Sequence, residues 1–549
     1  MATVMAFAAA GLLAPAGAGA ATFYVSPGGS DSRPCDLAGA PCRTIGHAVN
    51  RATQMPGSHL INVAARHSGS RAVYREPVSL SQTSAHTPRV VIDGSWRAGG
   101  AAGSAGRALI APRGATPIQA VLVSLPNSQL RNIDVNSTQA QAAAAVVLGG
   151  PGTKHLLRDV AVRAGKGDVG VVVESRDSTL QWVDVTTDGG VALDYNAPGN
   201  PVLATDSTFT QIGSGMVVRG SGISSIILRR SVALGNTNSR RVIGTEGGRL
   251  FLDSALVSGG DEAAIHLGGA TGPSLRAVSS TIDAGVSGRS DSDRAAVSLA
   301  TGGNAEVEMI GSIVLEPPLI TVAGTAKITC SHTDIPSTEV DLDSPPQTVT
   351  CGSGKSSNTH TPPSEQFVGT APFSGVSDYQ LREGAPAINT GPHPAPEDAT
   401  PFDLSGEARI QPPGTCADSE NVIDRGALEH RCTPVAGSPA PPNVREEFDR
   451  KAREARRARG GGRAGRGGGG RGAAGRGGRR AGAGLRMRAR VVRARVPQRA
   501  QVRVLLLLNR PARVVLAVRG TKLRRVVKRA RRGRNVIAFP THRLRPVRR

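Results

Sequence analysis

A short pattern that returns between about Ser128 and Ile335 limits what this chain can fold into more than any other feature of its sequence. A small polar residue precedes a large apolar one by two places in the segments around Ser207, Ser231, Ser254, Ser280 and Ser312. Three earlier copies carry Ile133, Val160 and Val183 at the polar place. With Val135, Val162, Val185, Phe209, Leu234, Leu256, Ile282 and Val314 as anchors, the steps are 27, 23, 24, 25, 22, 26 and 32 residues. A second apolar run follows each anchor, for example Val171 to Val173 and Ile265 to Leu267, and Gly, Asp, Asn or Ser bound both runs. These are strand signals, and no copy carries an apolar stripe of helical period and length. One rung of two or three short strands cannot bury its apolar side alone. Rungs stacked at about 4.8 Å close a continuous core and pair each strand with the one above and below. The pattern therefore predicts an all-β chain built on a right-handed parallel β-helix of roughly ten rungs. A leucine-rich repeat needs a regular Leu ladder with an Asn column, and neither is present.

The net charge of +24 conceals two unlike parts. Residues 445–549 hold 35 Lys and Arg against 4 acids, whereas the rest of the chain is mildly acidic, with 31 basic and 38 acidic residues. Any attraction to polyanions belongs to that tail, and it is expected to be unspecific and salt-sensitive. The tail lacks interleaved aromatics for stacking bases, so no specific nucleic-acid partner is expected. Met1 to Ala20 is apolar and small-residue rich and ends in Ala18-Gly19-Ala20, the pattern of a secretory signal, although no Lys or Arg precedes it. No later stretch reaches 18 uninterrupted apolar residues, so no transmembrane span is expected. The six cysteines fall as near neighbours, Cys35 with Cys42, Cys330 with Cys351 and Cys416 with Cys432. No Cys-x-x-Cys spacing marks a metal site, and local disulfides are the reading preferred among the possible connectivities.

Ahead of the repeat, Phe23-Tyr24-Val25-Ser26-Pro27-Gly28 leads through the Cys35 to Cys42 loop to Thr44-Ile45-Gly46-His47-Ala48-Val49. Ile45, Ala48, Val49 and Ala52 lie on one helical face, suited to plugging the open end of the first rung. Beyond the repeat come Gly384-Ala385-Pro386-Ala387-Ile388-Asn389, Asp403 to Arg409, and Asp424-Arg425-Gly426-Ala427-Leu428-Glu429. This order of motifs resembles exported bacterial parallel β-helix proteins of the pectate-lyase-like superfamily, from their opening strand to their closing segment. The resemblance implies the fold and an extracellular or cell-envelope location, with a cell-wall polysaccharide as partner.

It does not imply an activity, because fold does not fix function. The WIDH and RxPxxR signatures of the lyases are absent from the rungs, as are the GHG and RIK of polygalacturonase-like hydrolases. The candidate catalytic residues are Asp134 and Asp184, in one outward column with Ala161 between them, and Arg158 on a strand beside Asp134. Two rungs separate the carboxylates by about 9.6 Å, too far for one calcium without a third ligand such as Asp159 or Asp188. Lysines are scarce in the rungs (Lys154, Lys166, Lys327), which disfavours a lyase base.

The sequence thus divides into a signal at 1–21, a β-helix domain with a loop-rich closing segment at 22–432, a Pro- then Arg/Gly-rich linker at 433–484, and a basic module at 485–549. That module reads as a small Ig-like β-sandwich with few strands. The expected function is a monomeric, non-catalytic surface or matrix protein that binds glycans along its strand face. A polysaccharide lyase or glycoside hydrolase acting on an acidic polysaccharide is the alternative. No cofactor is expected, calcium entering only with the lyase.

Overall fold

The computed structural model describes residues 19–430, apart from short internal stretches of which 410–422 is the longest, and five strands between residues 487 and 540. Each rung has three faces, as in Ser225–Arg229, Val232–Leu234 and Arg241–Glu246. The strands of successive rungs pair in parallel, for example Ile226 with Leu250, Val232 with Leu256 and Ile243 with Ile265. Strands on the third face stack into an 11-stranded sheet, while those of the first two faces run on as one sheet around a sharp bend. Connections between parallel strands of this kind run right-handed.

Register identifies the inward column of the second face as Val135, Val162, Val185, Phe209, Ala233, Val257, Ile282 and Val314. All belong to the core inside the solenoid. Two anchors of the repeat are thereby corrected. Leu234 and Leu256 each lie one residue beside the inward column, on the outer surface of the second face. A step of one residue turns a strand side chain to the opposite face, so choosing the larger of two adjacent apolar residues misplaced both.

The bend explains the small polar residue of the pattern. Two places before the inward column stand Ser207, Ser231, Ser280, Ser312 and Thr333, all fully buried. Ser207 Oγ donates to the Thr205 carbonyl at 2.9 Å and accepts from Val183 N at 3.1 Å. Ser280 and Ser312 repeat the arrangement with Val278, Ala255 and Ile310. The hydroxyls supply partners for backbone groups that the turn removes from the ladder and that burial would leave unsatisfied. One place earlier, a left-handed residue makes the turn in each rung: Asn132, Asp159, Trp182, Asp206, Arg230, Ser254 and Ser279, with φ between 44° and 56°.

Helix Ile45–Thr53 closes the first rung. Thr44 caps it, accepting from His47 N, and Ile45, Ala48, Val49 and Ala52 join the core. Cys35 is bonded to Cys42 and Cys330 to Cys351, with Cα atoms 5.0 and 4.8 Å apart. Cys416 and Cys432 lie outside the described residues, as do the segment expected to be a signal, up to residue 18, and the Arg/Gly stretch expected to be a linker. In the tail, Met487–Val491, Gln501–Leu508 and Gly533–Pro540 form one antiparallel sheet and Ala512–Leu516 with Val526–Ala530 another.

At the other end of the solenoid the closing segment docks on the outside of the second face. Val232, Leu256, Ile313 and Leu315 form a second apolar cluster with Phe367, Tyr379, Leu381, Ala385, Ala427 and Leu428. Tyr379 Oη donates to Asp283 Oδ2 at 2.5 Å and meets Ser258 Oγ at 2.6 Å. Burial pushes the Asp283 carboxyl up, outweighing the hydrogen bonds from Tyr379, Gly285 and Ser258 and the charge of Arg294. A carboxyl raised in the folded state favours that state in its protonated form. Its contribution is complete below the ordinary carboxylate pKa and is lost as pH rises through the raised value. Asp283→Asn, which keeps the shape without the charge, is therefore expected to gain on the wild type as pH increases from 5 to 8. Thermal melts of both proteins across that range check it, and a difference independent of pH would remove the argument.

Candidate functional site

The closing segment covers the second face only from Val232 onward. On the rungs before it, the outer surface remains open and polar, carrying Asp134, Ala161, Asp184 and Thr208 in one column. Phe402, Leu404, Ser405 and Gly406 form a wall beside these rungs, giving a cleft of about 360 Å³ whose floor includes Asp159, Gln181, Trp182, Asp184, Asp206 and Thr208. The bend sets its geometry, because it brings the turn residues Asp159, Trp182 and Asp206 beside the outward residues Asp184 and Thr208 of the second face.

Arginines from neighbouring rungs tie the carboxylates together. Arg107 pairs with Asp134 at 3.3 Å and with Asp159, and Arg71 pairs with the other oxygen of Asp134. Burial alone would lower the Arg107 guanidinium, but its hydrogen bonds and proximity to Asp159 and Asp134 hold it above its ordinary value. Arg230 makes a two-pronged pair with Asp206, both bonds 2.8 Å, donates to Thr400 Oγ1 at 3.0 Å, and lies over the Phe402 ring. Through Arg230 the wall is fixed to the floor. Asp184 is solvent-accessible. Partial desolvation raises its carboxyl, Asp159 and Asp134 add to this, and Arg107 and the Thr208 hydroxyl oppose it.

The sequence candidates are thus partly gathered. Asp134 and Asp184 share the outward column with Ala161 between them. Arg158 sits across the bend in the first-face column with Arg131 and Gln181, its guanidinium 4.7 Å from the centre of the Trp182 ring. Arg71, Arg107, Trp182 and Asp206 went unnoticed in the sequence. Trp182, Asp159 and Asp206 stand three places before the inward column, so aligning the rungs on that column would have brought them out, Trp182 being the one aromatic in it.

Calcium does not fit this donor set. Asp134 and Asp159 both accept from the Arg107 guanidinium, so a cation already lies between them. Among the described residues the one group with metal-like spacing is Cys35, Cys42 and His47, and its cysteines are consumed in a disulfide.

Parallel pairing of successive rungs on three faces decides the architecture. The chain has a parallel β-helix fold. No family model and no curated protein matches it. Among solved structures it is similar to pectate lyase Pel9A, at 12% identity and a TM-score of 0.45 over 75% of this chain and 96% of that one. It is also similar to a pectin methylesterase from carrot, at 12% identity and a TM-score of 0.26 over 45% of this chain and 81% of that one.

Proposed function

We propose that this is an exported β-helix protein that binds a polysaccharide in the cleft beside Trp182 without cleaving it. The observation that carries the reading is the state of the cations. A lyase needs a group that is neutral near pH 7 to take the proton beside a uronate carboxylate. Among the described residues no lysine lines the cleft, and Arg107 is held charged by two carboxylates. Lys154 is paired with Asp177, Lys327 with Glu306, and Lys166 lies opposite Asp188. The basic tail would add unspecific retention on anionic envelope polymers.

A second reading keeps one observation of its own. Asp134 and Asp184 stand two rungs, or about 9.6 Å, apart, close to the separation at which an inverting glycosidase seats its water between base and acid. Asp184, raised by desolvation, would be the acid. Incubation of the full-length protein with polygalacturonate, alginate and neutral glucans, with and without a chelator, separates the two. Retention on a glycan with no new reducing ends and no unsaturated product, unaltered by the chelator, is the expected result. Product formation would replace binding with catalysis, and loss of retention in chelator would overturn the exclusion of calcium.

A further inference from the structure

The cleft's charge and the indole in its floor say which kind of sugar it takes, an inference that rests on the glycan-binding reading above; the other aromatic of the lining, Phe402, lies under the Arg230 guanidinium. Its floor and wall present three carboxylates, Asp159, Asp184 and Asp206, against two guanidiniums, Arg107 and Arg230. Both guanidiniums are engaged: Arg107 with Asp134 and Asp159, Arg230 with Asp206. Asp184 is then the floor carboxylate outside these ion pairs, and a uronate seated beside it would meet a like charge. Like charges at close range disfavour such a ligand. A neutral sugar presents hydroxyl pairs, which donate to carboxylates such as Asp184 and exchange hydrogen bonds with Thr208 and Gln181 at no such cost.

Trp182 supplies the other half of a sugar site. It occupies the bend at φ +55°, in a column where Asn132, Asp159, Asp206, Arg230, Ser254 and Ser279 take the same conformation. Asn and Asp tolerate the left-handed region because their short polar side chains bond locally, whereas a bulky aromatic gains nothing there. The indole is half-buried, with the Arg158 guanidinium over its ring, and it lines the cleft. Arg158 positions the ring, and the indole offers apolar area against which the C–H face of a pyranose can be buried.

We infer that the cleft is a subsite for a neutral hexose- or pentose-based polysaccharide, with Trp182 as its stacking platform and Asp184 and Thr208 as hydroxyl partners, and that it works without calcium.

Trp182 and Trp96 are the only tryptophans, so intrinsic fluorescence reports on the site directly. The full-length protein is titrated with cellohexaose, xylohexaose and hexagalacturonate, each with and without chelator. A blue shift and saturable binding with a neutral hexasaccharide, equal in chelator, is expected. Trp182→Asn should weaken that binding by about tenfold or more, as loss of an aromatic anchor does, and abolish the spectral shift. The melting temperature of this variant should remain near that of the wild type, since Asn suits the left-handed bend. Trp182→Phe, which keeps an aromatic face, should recover part of the affinity. Preference for hexagalacturonate overturns the neutral-sugar inference while leaving a glycan-binding cleft. Unchanged affinity in Trp182→Asn overturns the platform. Failure to bind any of the three overturns the glycan-binding reading itself.

Discussion

Val257→Asp is expected to unfold the solenoid, whereas Leu256→Asp, one residue earlier, should leave it folded and release the closing segment. Both side chains are fully buried, so exposure alone predicts the same outcome for each. Their surroundings differ. Val257 lies in the column inside the solenoid between Ala233 and Ile282. An aspartate there has neither water nor a counter-charge, at a cost of at least about 4 kcal/mol. Leu256 faces outward between Val232 and Thr281 and is buried by the closing segment. An aspartate there regains water as soon as that segment lifts, so the loss is capped at the docking free energy. Far-UV circular dichroism on heating reads the solenoid, and limited proteolysis beyond residue 363 reads the segment. Equal loss of the solenoid in both variants, or protection of the segment in Leu256→Asp, would show that the two apolar clusters are one core.

That contrast marks where the sequence was legible and where it was not. Period and turn chemistry revealed the solenoid, because every rung must repeat the same alternation to stack. The amphipathic face Ile45, Ala48, Val49 and Ala52 likewise identified the cap. Inside from outside could not be decided from residue size on the later rungs, because there the strands are apolar on both sides. Ala233 faces in and Leu234 out, Val257 in and Leu256 out. The second apolar side belongs to a partner more than 100 residues downstream, and local periodicity carries no record of it. The bend serine held the answer at Ala233, two places after the buried Ser231, but not at Val257, where Ala255 stands in the serine's place and the buried Ser254 points to Leu256 instead.

The candidate site was legible to a smaller degree for a related reason. Asp134 and Asp184 could be placed in one column from the rung spacing alone. What neutralises them comes from earlier rungs and from a hairpin. Arg71 follows the turn at Ser68 and Gly69, and Arg107 precedes Ala108–Ile110, neither of which carried the repeat pattern. The outer face also proved shorter than the repeat suggested. Of the rungs counted, those from Val232 onward are closed by the C-terminal segment, and the polar surface is confined to the rungs before it.

The motif residues Asp403, Arg409, Asp424 and Glu429 hold that segment in place, and Arg409→Met is expected to detach it. Arg409 and Glu429 form an ion pair with side-chain exposures of 2% and 6%. The same guanidinium donates to Ser254 Oγ at 3.2 Å and to the Ser279 and Gly426 carbonyls at 3.1 Å, reaching across two bends of the solenoid. Asp403 accepts from Glu407 N and Glu429 N, and Asp424 accepts from Asn389 N. Gly426, at φ +90°, brings its N–H within 2.9 Å of the Gly311 carbonyl, where a Cβ would meet Ile313 at 2.8 Å. Removing Arg409 leaves Glu429 buried without its counter-charge, and breaking such a pair costs about 3–5 kcal/mol. Burial already pushes the Glu429 carboxyl well up against the pull of Arg409, so without the guanidinium it would take up a proton or the segment would leave the surface. Glu429→Gln in the Arg409→Met background keeps the acceptor for Asp424 N and removes the stranded charge. Proteolytic protection of residues 375–409 should therefore fall sharply in the single variant and return in large part in the double. Equal loss in both would shift the anchoring from the ion pair to the guanidinium's bonds with the bend carbonyls, because those are absent from both variants alike.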